Sequence, residues 1–236
     1  DEVRVSARRP HAWLTVADTW LDHAALAELD ARLRAPARLW REVKAAMATN
    51  TENVRQRMAA SDGLQASADE LACVHHFANV LYNGMRGGVF TDGYRFPTAD
   101  FMAFLRLRNR ALARRHRAAF ARQPETLDLA RLRQLAGATR DVNLQRLAGE
   151  YLPLTFSRRH GDPSRPWNRF AIHVHDEHGC PLYNFQGNWR DIFQNWEGLS
   201  LSYPGWLESM IAAFLNASTA DGYNPYRIGR DGIDWE

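Results

Sequence analysis

Apolar residues return at helical spacing through most of the first 150 positions, and this periodicity narrows the fold more than any other feature of the sequence. Side chains three and four apart share one helix face, so each repeat marks a segment with a stripe to bury. Leu26, Leu29 and Leu33 make the first stripe, and Pro36 interrupts it. A second helix is predicted from Ala37 to about Ala60, ending near Asp62-Gly63. Ser67 to Glu70 reads as a capping box that opens an apolar run through Leu71, Val74, Phe77, Val80 and Leu81, closing at Gly87-Gly88. Thr98 is placed to cap a helix carrying Phe101, Phe104, Leu105 and Leu112. Pro124 separates that helix from a shorter leucine-rich one, and another runs through Leu144 and Leu147. No short-period sequence repeat accompanies these helices, although hairpins can repeat in architecture without leaving one.

The character changes after residue 152. Residues 153–169 hold three prolines, a glycine and several arginines, the composition of a long loop. Arg169 to Phe185 alternates as a β-hairpin does, with Phe170, Ile172 and Val174 before a turn at Asp176 to Gly179, and Leu182, Tyr183 and Phe185 after it. Helices resume at about Asp191 to Leu199 and after Ser202, with Pro204 in the first turn of the second. Leu207, Met210, Ile211, Phe214 and Leu215 form its expected buried stripe. Thr219 to Glu236 reads as loop. The fold class implied is mainly α, helical hairpins with one small β-hairpin, organised as a helical segment over 1–152 and a loop, hairpin and helix segment over 153–236. The sequence stops inside an aromatic, carboxylate-bearing stretch, Asp234-Trp235-Glu236, which suggests one part of a larger domain whose C-terminal remainder would be its partner.

Composition serves mainly to exclude. No apolar run approaches the roughly 18 residues a membrane helix requires. Lys44 is the single lysine, so the basic residues are nearly all arginines, and the net charge is only +3. Arg106, Arg108, Arg110, Arg114, Arg115 and Arg117 read as a solvated helix face, since no nucleic-acid motif accompanies them. Cys73 and Cys180 form no paired pattern, and reduced thiols favour a cytoplasmic location. His173, His175, His178 and Cys180 carry zinc-ligand chemistry, but a polar hairpin exposing them to water accounts for the same residues, so no metal or cofactor is expected. His75 and His76 point about 100° apart on a helix and cannot chelate one ion together. Asn83 to Gly88 lacks the lysine of a phosphate-binding loop.

The stretch most suggestive of chemistry is Asn184 to Glu197. At a helix start, Trp189 offers an indole face to a pyranose, Arg190 a donor fork, and Asp191 two acceptors for vicinal hydroxyls. The competing account makes Asp191 a helix cap, Arg190 its ion-pair partner, and both tryptophans core. Arg165 and Trp167 sit in the long loop, where substrate contacts are common, as do Arg158, Arg159, His160 and Asp162.

Asn188-Trp189-Arg190-Asp191-Ile192-Phe193 resembles the Arg-Asp motif of six-hairpin, (α/α)6-barrel glycosidases, above all glucoamylases and the amylo-1,6-glucosidase part of glycogen-debranching enzymes. The resemblance spans residues 184–236. It implies an (α/α)-toroid, here an incomplete barrel, in which Arg190 and Asp191 grip the sugar and Trp189 or Trp235 stacks on it. Asp234 matches the debranching-type acid position, and Trp235-Glu236 matches the Trp-Glu of glucoamylases, so either carboxyl can be the general acid. Glycosides are cleaved by two carboxyl groups, about 6.5–9.5 Å apart when the configuration inverts. In the resembling families the base lies much later in the chain, so residues 1–236 alone are expected not to turn over a glucoside or oligosaccharide. A phosphorylase would be a related variant, and a non-catalytic carbohydrate-binding or scaffold module is the alternative.

Overall fold

The computed structural model describes residues 7, 12–17, 21–84, 88–155, 158–159, 170–171, 174, 176, 178 and 180–235. For Arg158, Arg159, Phe170, Ala171, Arg190, Asp191 and Gln194 the backbone alone is described. The chain forms two compact units, residues 1–53 and 54–236.

In the first unit α1 (His23–Leu33) begins where Asp22 accepts the Ala25 N–H at 2.8 Å. α2 (Pro36–Ala60) starts on proline, the residue suited to a first helical position, and runs across the unit boundary. Glu42 joins the two helices by accepting from Arg32 at 2.9 Å and Arg38 at 2.7 Å. The leucine stripe of α1 is not buried: Leu26 and Leu33 are exposed. Periodicity establishes which residues share a face, not whether a partner covers it.

The second unit opens with α3 (Glu70–Asn83), capped by Asp69 through the Ala72 N–H rather than by Ser67. The Ser67 hydroxyl instead accepts the Asp69 N–H, so the cap moves two residues on and the expected capping box does not form, Ala72 standing where its Glu would be. Leu71 and Val74 are exposed, while Val80 and Asn83 are buried. Two similar units follow. β1 (Arg95–Pro97) leads into α4 (Thr98–Arg108) and α5 (Arg110–Phe120); β2 (Thr126–Asp128) leads into α6 (Leu129–Gly137) and α7 (Val142–Gly149). The strands pair antiparallel with Phe96 opposite Leu127, which sets the two helical hairpins side by side.

One long helix after Thr98 was the expectation; the chain breaks it at Asn109. That residue adopts extended backbone (φ −155°, ψ 95°), and its side chain accepts the Leu112 N–H to start α5. Asn hydrogen-bonds its own backbone readily, so it stops one helix and caps the next. Thr98 is not a cap either, since its hydroxyl donates to the Pro124 carbonyl and ties the start of α4 to the loop before β2. Asp128 and Asp141 cap α6 and α7. Phe96, Phe101, Leu105, Leu132, Leu147 and Tyr151 are buried between the hairpins, each contributing about 1.5–3 kcal/mol by leaving water.

Beyond the hairpins, β3 (Arg158–Arg159) pairs antiparallel with β4 (Phe170–Ala171). The expected hairpin is thus corrected, because Phe170–Ala171 pairs with residues expected to be loop rather than with 182–185; main-chain bonds from Leu182 to Val174 and from Asp176 to Cys180 still close a turn where the hairpin turn was expected. β5 (Gln186–Asn188) runs into α8 (Trp189–Ser202), and a 3-10 turn at Pro204–Trp206 precedes α9 (Leu207–Ala217). Within the stretch expected to be loop, β6 (Arg227–Gly229) and β7 (Ile233–Asp234) form strands that pair with β5 in a three-stranded antiparallel sheet in the order β5-β6-β7. Trp206 is fully buried, stacked on Phe90 at 5.1 Å and donating its indole N–H to the Gly93 carbonyl. On α9 the expected stripe divides: Met210 and Phe214 face the core, whereas Leu207, Ile211 and Leu215 are exposed. The helix is apolar nearly all round, so spacing alone could not select its inner face. The observed fold is mainly α, as expected. No described helix is long and apolar enough to cross a membrane.

Candidate functional site

The three-stranded sheet brings together two stretches about forty residues apart. β5 pairs with β6 so that Gln186 lies opposite Gly229 and Asn188 opposite Arg227; β6 pairs with β7 so that Arg227 lies opposite Asp234. Residues directly opposite one another project from the same face of a sheet. Asn188, Arg227 and Asp234 therefore form one row across all three strands. The alternate face carries Ile228, buried in the core. Arg227 and Asp234 form an ion pair at 3.6 Å. The row borders an open depression of about 270 Å³, lined by Gln186, Arg227, Asp231, Ile233 and Asp234 with the backbone of Gly229 and Gly232.

Close approach between strand and helix shapes this edge. A Cβ on Gly187 would lie 2.9 Å from Ile192 Cδ1 and 3.0 Å from Ile192 Cβ, so only glycine lets β5 lie this near the first turns of α8. The Trp189 N–H, at the start of α8, donates to the Tyr226 carbonyl at 2.9 Å. The backbone carrying the Arg-Asp pair thus adjoins the strand bearing Arg227.

Two polar atoms in the row are left over. Asn188 Oδ1 and Arg227 Nε are buried, and neither has a hydrogen-bond partner among the described residues. Buried polar groups are nearly always satisfied, so each of these atoms has bonding capacity that the described residues leave unused.

Of the residues singled out from sequence, Asp234 stands in this row, and Trp235, half exposed, follows it directly. Trp189 packs edge-on against Phe193 at 5.6 Å and Phe214 at 4.8 Å, fixing the start of α8 to α9. Trp196, the other tryptophan of the motif, is buried in the core. Asn188, not Asp191, occupies the cap position of α8, and it makes no side-chain cap bond. The side chains of Arg190 and Asp191, and the whole of Glu236, Arg165 and Trp167, lie outside the described residues. So do His173 and His175 of the zinc hypothesis; among the described residues no group of three or more His, Cys, Asp or Glu could hold a metal ion.

Sequence reading passed over Arg227, Gln186 and Arg230. Arg230 is buried, and it donates to the Asp100 carboxylate at 2.8 Å. The one visible signal was the pair of glycines around Arg230-Asp231, which marks a tight turn between strands.

The family model described as glycoside hydrolase family 149 insertion domain 1 matches residues 90–153. The match covers the paired strands β1 and β2 and the helices α4 to α7, a little over a quarter of the chain, and none of the stretch resembling glucoamylases. No match to a curated protein accompanies it. The similarity supports a glycoside hydrolase-related protein, and does not single out the glucoamylase-like six-hairpin enzymes.

Proposed function

We propose that this chain supplies the sugar-holding surface and the general acid of a glycoside hydrolase acting on glucoside-type bonds. The observation that carries the reading is the row Asn188–Arg227–Asp234 beside the start of α8, with Arg227 and Asp234 lining an open depression. Arg190 and Asp191 grip the hydroxyls of one sugar, and Trp235 stacks on a neighbouring ring. Glu236, or Asp234 once substrate releases it from Arg227 and it takes up a proton, protonates the leaving oxygen, and a second carboxyl outside the described residues activates water. The similarity of residues 90–153 to an insertion domain of a glycoside hydrolase family supports a glycoside hydrolase-related protein, the setting in which this reading applies.

The test is titration calorimetry of the chain with maltotriose, cellotriose and laminaritriose. At least one should bind with a dissociation constant of about 1 mM or tighter, equivalent to roughly 4 kcal/mol. D191A should abolish that binding, and W235A should weaken it by about 0.5–1.5 kcal/mol through lost ring contact. The chain alone should release no glucose. If the wild-type chain binds none of the three sugars at 10 mM (about tenfold above that constant), the proposal fails.

A further inference from the structure

We infer that Arg230 is a positioning residue, which with Asp100 and Tyr151 latches the candidate site hairpin to the first helix of the β-α-α repeats. Its consequence for sugar rests on the function proposed above; its geometry does not. Arg230 lies in the three-residue connection (230–232) between β6 and β7, and its side chain turns inward, only 7% exposed. Its Nη2 donates to the Asp100 carboxylate at 2.8 Å and to the Asp100 carbonyl at 3.2 Å, 130 residues away in the chain. The other Asp100 oxygen accepts from the Tyr151 hydroxyl, and the guanidinium lies over the rings of Phe104 and Tyr151, at 5.8 and 6.0 Å. Nη1 is buried with no partner among the described residues, so the charge is held on one side, by Asp100.

Such a pair does not need to stabilise the fold. A buried ion pair is often no better than apolar packing, and its value lies in admitting one arrangement. The arrangement fixed here is that of Asp231, Gly232 and Asp234, which line the depression, relative to α4. Main-chain bonds from Gly229 N–H to the Gly232 carbonyl and from Arg230 N–H to the Phe185 carbonyl would carry the constraint to both neighbouring strands. Asp100 and Tyr151 both fall within the segment similar to the insertion domain, so that segment acts on the site by holding its hairpin.

Amide hydrogen exchange of the full chain reads the latch without any sugar. In R230A and D100N the Gly229 and Arg230 amides should exchange about tenfold faster or more, while amides of α6 and α7 keep their rates, because opening stays local. R230K keeps the charge but not the planar fork, so it should loosen the hairpin by several-fold while the unfolding midpoint moves little. The double variant D100R/R230D should recover part of the protection that either single change removes. Calorimetry with the trisaccharide that the wild type binds should show R230K weakening affinity by about tenfold, as displacement of a positioned group does. Unchanged hairpin exchange in R230A and R230K overturns the inference. So does an R230K that lowers the midpoint yet leaves hairpin exchange and sugar affinity as in wild type, because that pattern is a purely structural role. Failure of the wild type to bind any sugar counts against the proposed function and leaves the exchange result to decide the latch.

Discussion

Removing the Glu150 carboxylate should be among the most damaging single changes in the second unit. Glu150 follows α7 and is 3% exposed. Its carboxylate accepts from Asn216 of α9 at 2.8 Å, from Arg108 of α4 at 3.2 Å, and from Arg146 of α7 at 3.4 Å on each oxygen. One acidic group thus joins three helices. Truncation to alanine leaves donors facing a void, and breaking a buried pair in this way costs about 3–5 kcal/mol. The partners move that figure toward its lower end: the Arg146 side chain is 47% exposed and can rehydrate, whereas Arg108, at 23%, can do so only in part. About 3 kcal/mol, at 2–4 °C per kcal/mol for a chain of this size, lowers the melting midpoint by about 6–12 °C in E150A. E150Q retains an acceptor for Asn216 but turns an amide toward the guanidiniums, so about 1–2 kcal/mol is expected. Calorimetric melting of both variants, with N216A to close a double-mutant cycle, measures this. A midpoint drop below about 2 °C in E150A (under 1 kcal/mol), or equal losses in E150A and E150Q, would refute the reasoning.

Two further predictions follow from local geometry. G187A should lower stability by about 1–3 kcal/mol by driving a methyl into Ile192, and I192A added to it should return part of that loss in urea titrations; a neutral G187A would mean that β5 does not approach α8 so closely. Asp141 accepts from His116 at 2.9 Å and Arg115 at 2.7 Å, and these bonds pull its carboxyl down to about 2. Its folded value thus lies below the unfolded one of about 3.9, so its contribution is fully present above that value and is lost as pH falls toward 2. D141N should flatten acid unfolding in that window, and an unchanged acid limb in the variant would show that the pair carries no such linkage.

Much of the helical architecture was legible because it is local. The second helix, the turn at Asp62-Gly63, and the helix through Leu144 and Leu147 follow from periodicity, caps and breakers near in sequence. What was misread depended on partners far away. Thr98 looks like a cap until the Pro124 carbonyl takes its hydroxyl. Leu207, Ile211 and Leu215 look like core until the opposite face of α9 is packed first. Asn109 breaks a helix whose apolar spacing continues across it, a weak local signal against a strong one. At the candidate site, Trp189 and Asp234 stood out by residue type and motif. Arg227 and Arg230 did not, because an arginine in a glycine-rich tail is ordinary until pairing shows what it faces.

The register of one short sheet decides how these residues relate. A shift of one position between β6 and β7 would turn Asp234 toward the face that carries Ile228, and the row with Arg227 and Asn188 would no longer exist. Strands of two and three residues do not hold register by their own ladders. Here three anchors outside the ladder do so: Ile228 in the core, the Trp189 N–H on the Tyr226 carbonyl, and Arg230 on Asp100. Two of the three lie on or beside the candidate sugar edge, and the third reaches into the segment similar to the glycoside hydrolase insertion domain. The fold thus places its register-holding contacts where the proposed chemistry needs a carboxylate fixed in direction, and substitutions at these anchors should move Asp234 before they unfold the helices beneath it.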